Sequence, residues 1–243
     1  MKFYGIKKLS LIDYPNKFSC VLFTYGCTLR CPFCHNRELV TGSKEKLGSV
    51  SEEEVLQFLQ SRKGKLDAVT ITGGEPLMYG DSLLSFVSKV KNKGFLVKLD
   101  TNGTFPDLLR NFLELDLLDY VAIDYKLPFK LYTKLGATQD QIVNVKESVN
   151  ILLGSKVEHE FRTTLVPKLH SIKVIDLMIK EFGDVVGDKW KFNNFRSQNT
   201  LNEEYKGSKE FSDREFRELC RYILSQSLIS ASQRGKKWKK PMI

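Results

Sequence analysis

The sequence predicts an α/β protein, a partial (β/α)6 barrel of parallel strands. Three observations carry this. Short apolar runs suited to buried strands alternate with segments of helical periodicity along the chain. Six such pairs fit into 243 residues, and their connections are mostly too short to hold a second domain. Six units do not close an eight-fold barrel, so an open arc is expected, with an open sheet as the alternative.

The elements follow in order. Residues 20–25 form the first apolar run. Ser51 is placed to cap a helix and Glu54 to complete a capping box, while Val55, Leu56, Phe58 and Leu59 supply the apolar face. Residues 68–72 make the second strand. Asp81 is placed to cap the next helix, where Leu84, Val87 and Val90 recur at helical spacing. Residues 95–99 make the third strand, and a short helix over 106–115 follows with Pro106 in its first turn. Residues 120–123 make the fourth strand, and 138–153 a helix ending near Gly154. Residues 159–166 read as the fifth strand, stopped by Pro167. A helix over 171–182 ends at Gly183, and 190–195 form the sixth strand. Residues 196–210, rich in Ser, Asn, Thr, Glu and Lys, read as a surface loop, and Ser212 caps a last helix over 213–228. The expected organisation is one domain over 1–230 and a basic tail over 231–243.

Composition removes several classes. Hydrophobic residues at 42% and charged residues at 28% argue against a disordered chain. No apolar run approaches the length of about 18 residues that a membrane span needs. Residues 1–8 lack the apolar segment of a secretory signal, so a cytoplasmic location is expected. The net charge of +9 is uneven. Arg234, Lys236, Lys237, Lys239 and Lys240 lie in the last ten residues, which leaves +4 (9 minus 5) elsewhere. Two readings of that tail stay open: a solvated terminus, or a contact with an acidic partner or nucleic acid, which Trp238 favours.

The five cysteines are Cys20, Cys27, Cys31, Cys34 and Cys220. An odd number in a reducing compartment is no disulfide framework. Cys27, Cys31 and Cys34 follow the first strand with spacing C-x3-C-x2-C. Three thiolates on a tight loop can hold three irons of a [4Fe-4S] cube and leave the fourth open to a small molecule. Cys20 and Cys220 read as small buried hydrophobes. The alternative is a zinc site of Cys27, Cys31, Cys34 and His35, with His35 crowding Cys34.

Other polar motifs follow the same strand ends. Thr72-Gly73-Gly74-Glu75-Pro76 offers a carboxylate able to grip an ammonium, beside glycines that let backbone approach a ligand closely. Asp100-Thr101-Asn102-Gly103 ends the third strand and Asp124-Tyr125-Lys126 the fourth. Arg162 lies inside the fifth strand, where a charge needs a partner or a water-filled interior. In a parallel α/β fold these strand ends share one face, the usual site face. His159 and His170 read as structural or surface residues.

The cysteine triplet resembles the signature of the radical S-adenosylmethionine (SAM) superfamily, and Gly73-Gly74-Glu75 resembles its GGE motif. The resemblance implies one [4Fe-4S] cluster on Cys27, Cys31 and Cys34. Its open iron would chelate SAM, Phe33 would lie near the adenine, and the GGE motif would meet the methionine amino group. Leu11-Ile12-Asp13-Tyr14-Pro15, Phe33-Cys34-His35-Asn36, Leu99 to Gly103 and Arg162 to Pro167 resemble the activating enzymes of glycyl radical enzymes. The similarity runs from about residue 5 to about residue 225 and is greatest to activases of anaerobic ribonucleoside-triphosphate reductase. It implies a SAM site of Phe33, His35, Gly73, Gly74, Glu75, Asp100, Asn102, Lys126 and Arg162, with Asp100, Thr101 and Asp124 as candidate ligands of a monovalent cation. Relatives acting on pyruvate formate-lyase use a late histidine near SAM. Here the matching stretch is Asn193 to Arg196, and Arg196 is the candidate substitute.

The implied activity is reductive cleavage of SAM and removal of a glycine Cα hydrogen from a partner protein, with a flavodoxin- or ferredoxin-type electron donor. No acid or base beyond the cluster and SAM is required. The other readings are an activase of a pyruvate formate-lyase-like enzyme, a small-molecule radical SAM enzyme such as a deazaguanine synthase, and a zinc-stabilised nucleic-acid-binding module. The last leaves Gly73 to Glu75 unexplained. No membrane or nucleic-acid partner is expected.

Overall fold

The computed structural model describes residues 1–183 and 189–233. Strands β1 (Lys2–Phe3), β2 (Ile6–Ser10) and β3 (Ser19–Thr24) come first. Helix α1 (Arg37–Thr41) follows the cysteine loop, and β4 (Val50–Ser51) pairs antiparallel with β1. Next come α2 (Glu52–Ser61), β5 (Ala68–Gly73), α3 (Gly80–Asn92) and β6 (Leu96–Thr101). Then follow α4 (Pro106–Glu114), β7 (Tyr120–Asp124), α5 (Gln139–Gly154) and β8 (Glu158–Leu165). The last elements are α6 (Ile172–Met178), β9 (Trp190–Asn194) and α7 (Asp213–Gln233).

The main sheet has seven strands in the order β2-β3-β5-β6-β7-β8-β9. The six from β3 to β9 are parallel and correspond to the six expected strands. Each new strand adds at the same edge, the singly wound order of a barrel arc rather than the reversing order of a doubly wound sheet. Their helix-facing side is apolar: Val69, Ile71, Val97, Leu99, Val121, Ile123 and Phe161 are fully buried. Helices cover it with single faces, α3 through Leu83, Phe86, Val87 and Val90, and α5 through Ile142, Val145, Val149 and Leu152.

Several local expectations are met for the expected reasons. Ser51 and Glu54 form a reciprocal capping box on α2, and Pro106 opens α4. The Ser212 hydroxyl accepts the Glu215 N–H at 3.2 Å while the Glu215 carboxylate accepts the Ser212 N–H at 2.8 Å. Other expectations change. Asp81 is not a cap. A 3-10 turn, Pro76–Tyr79, runs directly into α3, so Asp81 falls in the first helical turn, where its charge still suits the helix dipole. The helix expected over 171–182 changes winding at Ile179–Gly183, a π turn. The last helix continues to Gln233, beyond 228.

Strand β2 was not expected. Its Ile-Lys-Lys-Leu-Ser run is mostly exposed because it is the sheet edge, paired antiparallel with β3. The hairpin between β2 and β3 reaches the N-terminal ends of the strands. There Tyr14 is buried with its ring 5.7 Å from that of Tyr120, and the Asp13 carbonyl accepts from the Lys98 ammonium at 2.6 Å. Among the described residues, no helix is long and apolar enough to cross a membrane. Residues 234–243, with Trp238, lie outside the described residues.

Candidate active site

The cysteine loop begins where β3 ends, and β5 holds it there. The Gly74 N–H donates to the Thr24 carbonyl at 3.0 Å, and the Glu75 N–H donates to the Gly26 carbonyl at 2.7 Å. Gly73 has φ +120°, and a Cβ at Gly74 would sit 1.8 Å from the Gly26 oxygen. The two glycines are thus required by the backbone of the neighbouring loop. Both also line the pocket, where their backbone is open to a ligand.

A cavity of about 240 Å³ lies at the C-terminal ends of the strands. Cys27, Cys31 and Cys34 form one wall with Phe33 and His35. Gly73 and Gly74 form a second, and Asp100, Thr101 and Asn102 a third. Asp124, Lys126 and Arg162 close the far side. Segments separated by more than a hundred residues converge because β3, β5, β6, β7 and β8 are parallel and in register, with Asp124 opposite Arg162.

Glu75 departs from its expected place. It has no exposed surface and does not line the cavity. Its carboxylate accepts from the Leu77 N–H at 3.0 Å, the Thr101 hydroxyl at 2.7 Å and the Asn102 N–H at 2.7 Å. It ties the β5 loop to the β6 loop. Burial raises its pKa to about 7, against the three donors. Asn102 lines the cavity, but its side chain is engaged by Thr28, Thr104 and the Cys27 sulfur.

The far side is a line of alternating charges. Lys98 lies 3.5 Å from Glu160 and 3.3 Å from Asp100. Arg162 bonds Asp100 at 2.9 Å and Asp124 at 3.1 Å, and Lys126 bonds Asp124 at 2.9 Å. Burial alone would raise the Asp124 pKa, but Lys126 and Arg162 outweigh it and hold the group at about 2. Burial would lower Lys126, yet Asp124 and the Cys31 thiol hold it above the ordinary lysine range. Asp100 and Asp124 thus take their counter-charges from Lys98, Arg162 and Lys126. The Thr101 hydroxyl is turned to Glu75, so the three candidate cation ligands are already committed elsewhere.

The three thiols fit a cluster. Burial raises all three, Cys31 to about 12, while the Lys126 charge lowers each. Such thiols stay protonated in the metal-free protein and release protons on binding metal. Neither Cys20 nor Cys220 lines the cavity, so the set presents three ligands and an open side. The His35 Nδ1 lies 3.2 Å from the Gln198 carbonyl, which ties His35 to the segment 196–210. Among the described residues, no three His, Cys, Asp or Glu side chains close on one ion.

Some site residues escaped sequence reasoning. Asn36 lines the cavity and donates to the Gly73 carbonyl at 3.0 Å. Thr164 also lines it, as does Asn193, the first residue of the stretch matched to the late histidine. Thr164 follows Arg162 by two along β8, and Asn193 is its register partner on β9, so strand alternation was the available signal. Arg196 does not line the cavity. It is largely exposed and pairs with Glu210 at 3.2 Å. Residues 196–210 are not a plain surface loop either. Thr200 is fully buried, and the Asn202 N–H donates to the Pro32 carbonyl at 3.0 Å, so this segment packs on the cysteine loop. His170 is buried, with Nδ1 accepting the Val166 N–H at 2.9 Å and Nε2 on the Lys126 carbonyl at 3.0 Å. It steadies the Lys126 backbone.

Fold and loop together define a class: an α/β barrel arc whose strand ends carry three cysteines on one loop beside a charged pocket. The sequence profile of the Radical SAM superfamily matches residues 21–178. A Methanocaldococcus jannaschii protein named, by inference, a glycyl-radical enzyme activating enzyme is 35% identical over 221 residues, 88% of each chain. The pyruvate formate-lyase-activating enzyme of Clostridium pasteurianum is 27% identical over 195 residues, 76% of this chain and 78% of its own. Among solved structures, native anSMEcpe with bound AdoMet and Cp18Cys peptide has a TM-score of 0.61 at 15% identity, covering 86% of this chain and 59% of that one. The chain belongs to the radical SAM superfamily; it is a radical SAM enzyme, and its cofactors are a [4Fe-4S] cluster and SAM.

Proposed function

We propose that this protein activates a glycyl radical enzyme, and that its partner is anaerobic ribonucleoside-triphosphate reductase. The observation that carries the reading is the pocket, with three thiols on one wall and Lys126 and Arg162 facing them, in a chain matched along 88% of its length by a relative named for such activation. The motifs between Leu11 and Pro167 favour the reductase as partner.

Cys27, Cys31 and Cys34 would hold the cluster. Phe33, His35, Gly73, Gly74, Asp100, Asn102, Lys126 and Arg162 would form the walls of the SAM site. The bound pair supplies reductive cleavage of the SAM S–C5′ bond, and hence a carbon radical able to take a glycine Cα hydrogen. The protein's own residues do the rest. Lys126 and Arg162 offer cations to a carboxylate, while Asp100 and Asp124 fix both and offset a sulfonium charge. Buried Phe33 gives a purine a ring surface to pack on. The segment 196–210 shields the cysteine loop from solvent. A monovalent cation at Asp100, Thr101 and Asp124 would share those carboxylates with Arg162. The electron donor is of flavodoxin or ferredoxin type, and the setting is the cytoplasm.

The test is electron paramagnetic resonance on anaerobically reconstituted, dithionite-reduced protein, with and without SAM, and then with each partner. The expected result is a [4Fe-4S]+ signal that SAM alters, followed by a glycyl radical on the reductase. A radical on pyruvate formate-lyase instead would reassign the partner. Turnover of SAM only with a small-molecule substrate would replace the activase reading. Colourless protein holding zinc would overturn it.

A further inference from the structure

Asn102 follows the C-terminal end of β6 and is 5% exposed. Its Oδ1 accepts from the Thr104 N–H at 3.0 Å and from the Thr104 hydroxyl at 2.8 Å. A main-chain N–H can only donate, so the amide oxygen and nitrogen are not interchangeable. Nδ2 therefore faces Thr28 Oγ1 at 3.0 Å and Cys27 Sγ at 3.5 Å.

The remaining protons can be placed one by one. The Thr104 hydroxyl gives its proton to Asn102 Oδ1, so in its 2.8 Å contact with Thr28 it accepts. The Thr28 hydroxyl gives its proton to Thr104, so its oxygen accepts one N–H from Asn102 Nδ2. The ring Asn102–Thr28–Thr104 is closed and every proton in it is assigned. One amide N–H is left, and the Cys27 sulfur lies in front of it. Cys27 also takes the Leu29 main-chain N–H, and Cys34 that of Asn36. Asn102 adds a side-chain donor at Cys27.

We propose that Asn102, oriented by the ring with Thr28 and Thr104, directs an N–H to the Cys27 sulfur and thereby raises the reduction potential of the cluster. This rests on the cluster assignment above. An N–H facing a ligating sulfur stabilises the extra negative charge of the reduced cluster, and hydrogen bonds to sulfur are among the levers that set such potentials. Asn102 acts through Cys27 and is a positioning residue. Its part in the SAM site is then indirect, because both side-chain donors and the oxygen are already used.

The test is the midpoint potential of the full-length, anaerobically loaded protein, followed by electron paramagnetic resonance during redox titration without SAM. Wild type, Asn102→Ala and Thr104→Val are compared. Iron and sulfide content of the wild type, measured first, tests the cluster assignment separately. Asn102→Ala is expected to lower the potential. Thr104→Val, which opens the ring but keeps the Thr104 N–H on Oδ1, is expected to lower it less. An unchanged or raised potential in Asn102→Ala at wild-type iron content overturns the proposal. Should Asn102→Ala fail to load, an unchanged or raised potential in Thr104→Val overturns it, and a lowered one supports it.

Discussion

Glu75 is a carboxyl group with no exposed surface, three donors around it and a pKa raised by burial to about 7. Its ordinary value is 4.5, so the folded protein holds this proton over a window where the unfolded chain has lost it. Stability is then greatest below the lower value and falls as pH rises through the upper one. A difference of that size corresponds to about 3 kcal/mol. Glu75→Gln cannot titrate. Urea denaturation of the metal-free protein should therefore show the variant gaining on wild type by up to about 3 kcal/mol between pH 5 and pH 8. A gap that does not move with pH would show that the three donors keep Glu75 ionised throughout. Lys126 acts on its neighbours in the opposite sense, because its charge lowers the Cys34 thiol that burial raises. Lys126→Met should slow iodoacetamide modification of Cys34 in the metal-free protein at pH 8, read by mass spectrometry.

Elements meet in this protein through two tight contacts at opposite ends of the sheet. At the C-terminal end, β5 and the loop after β3 touch backbone to backbone, with no room for a side chain at Gly74. Gly74→Ala must push the Gly26 carbonyl away, and the cysteine loop moves with it. Iron loading should fall several-fold while far-UV circular dichroism stays that of the wild type; normal loading would show that the loop absorbs the shift. At the N-terminal end, Lys98 is only 3% exposed and holds Asp100, Glu160 and the Asp13 carbonyl. Lys98→Met would leave buried Asp100 and part-buried Glu160 short of a cation, at a cost of about 3–5 kcal/mol. Denaturation should read that loss, and amide exchange should quicken over residues 13–19. Unchanged exchange there would separate the hairpin from the charge line.

The whole molecule divides its labour between a sheet that folds by burial and a loop that waits for metal. The core strands bury Val, Ile, Leu and Phe side chains, with Cys20 on β3 as a further small buried side chain, and of the cysteine triplet only Cys31 joins that core. Chelation of the cluster should leave far-UV circular dichroism essentially unchanged. It should lower Tm, because a ligand bound only to the folded state stabilises it by mass action. Loss of the far-UV signal on chelation would instead make the cluster a folding element.

The sequence by itself determined the six parallel strands, because apolar runs alternating with capped helices have few other ways to bury their surfaces. It also determined the cysteine triplet, since C-x3-C-x2-C fixes three thiols on one short loop. Most of the pocket was legible for a related reason: polar residues at the ends of successive parallel strands must share a face. The edge strand β2 was not legible, since a half-exposed strand carries lysines and no alternation. Nor was the true part of Glu75, which reads as a ligand grip beside two glycines until its three donors arrive from residues 77, 101 and 102. Only the tertiary structure set Asn36 and Thr164 in the pocket and, within the stretch Asn193 to Arg196, put Asn193 there and turned Arg196 out. It also laid residues 196–210 on the cysteine loop. Those outcomes depend on which strand lies beside which and on which side chain wins a shared hydrogen-bond partner, and local pattern carries neither.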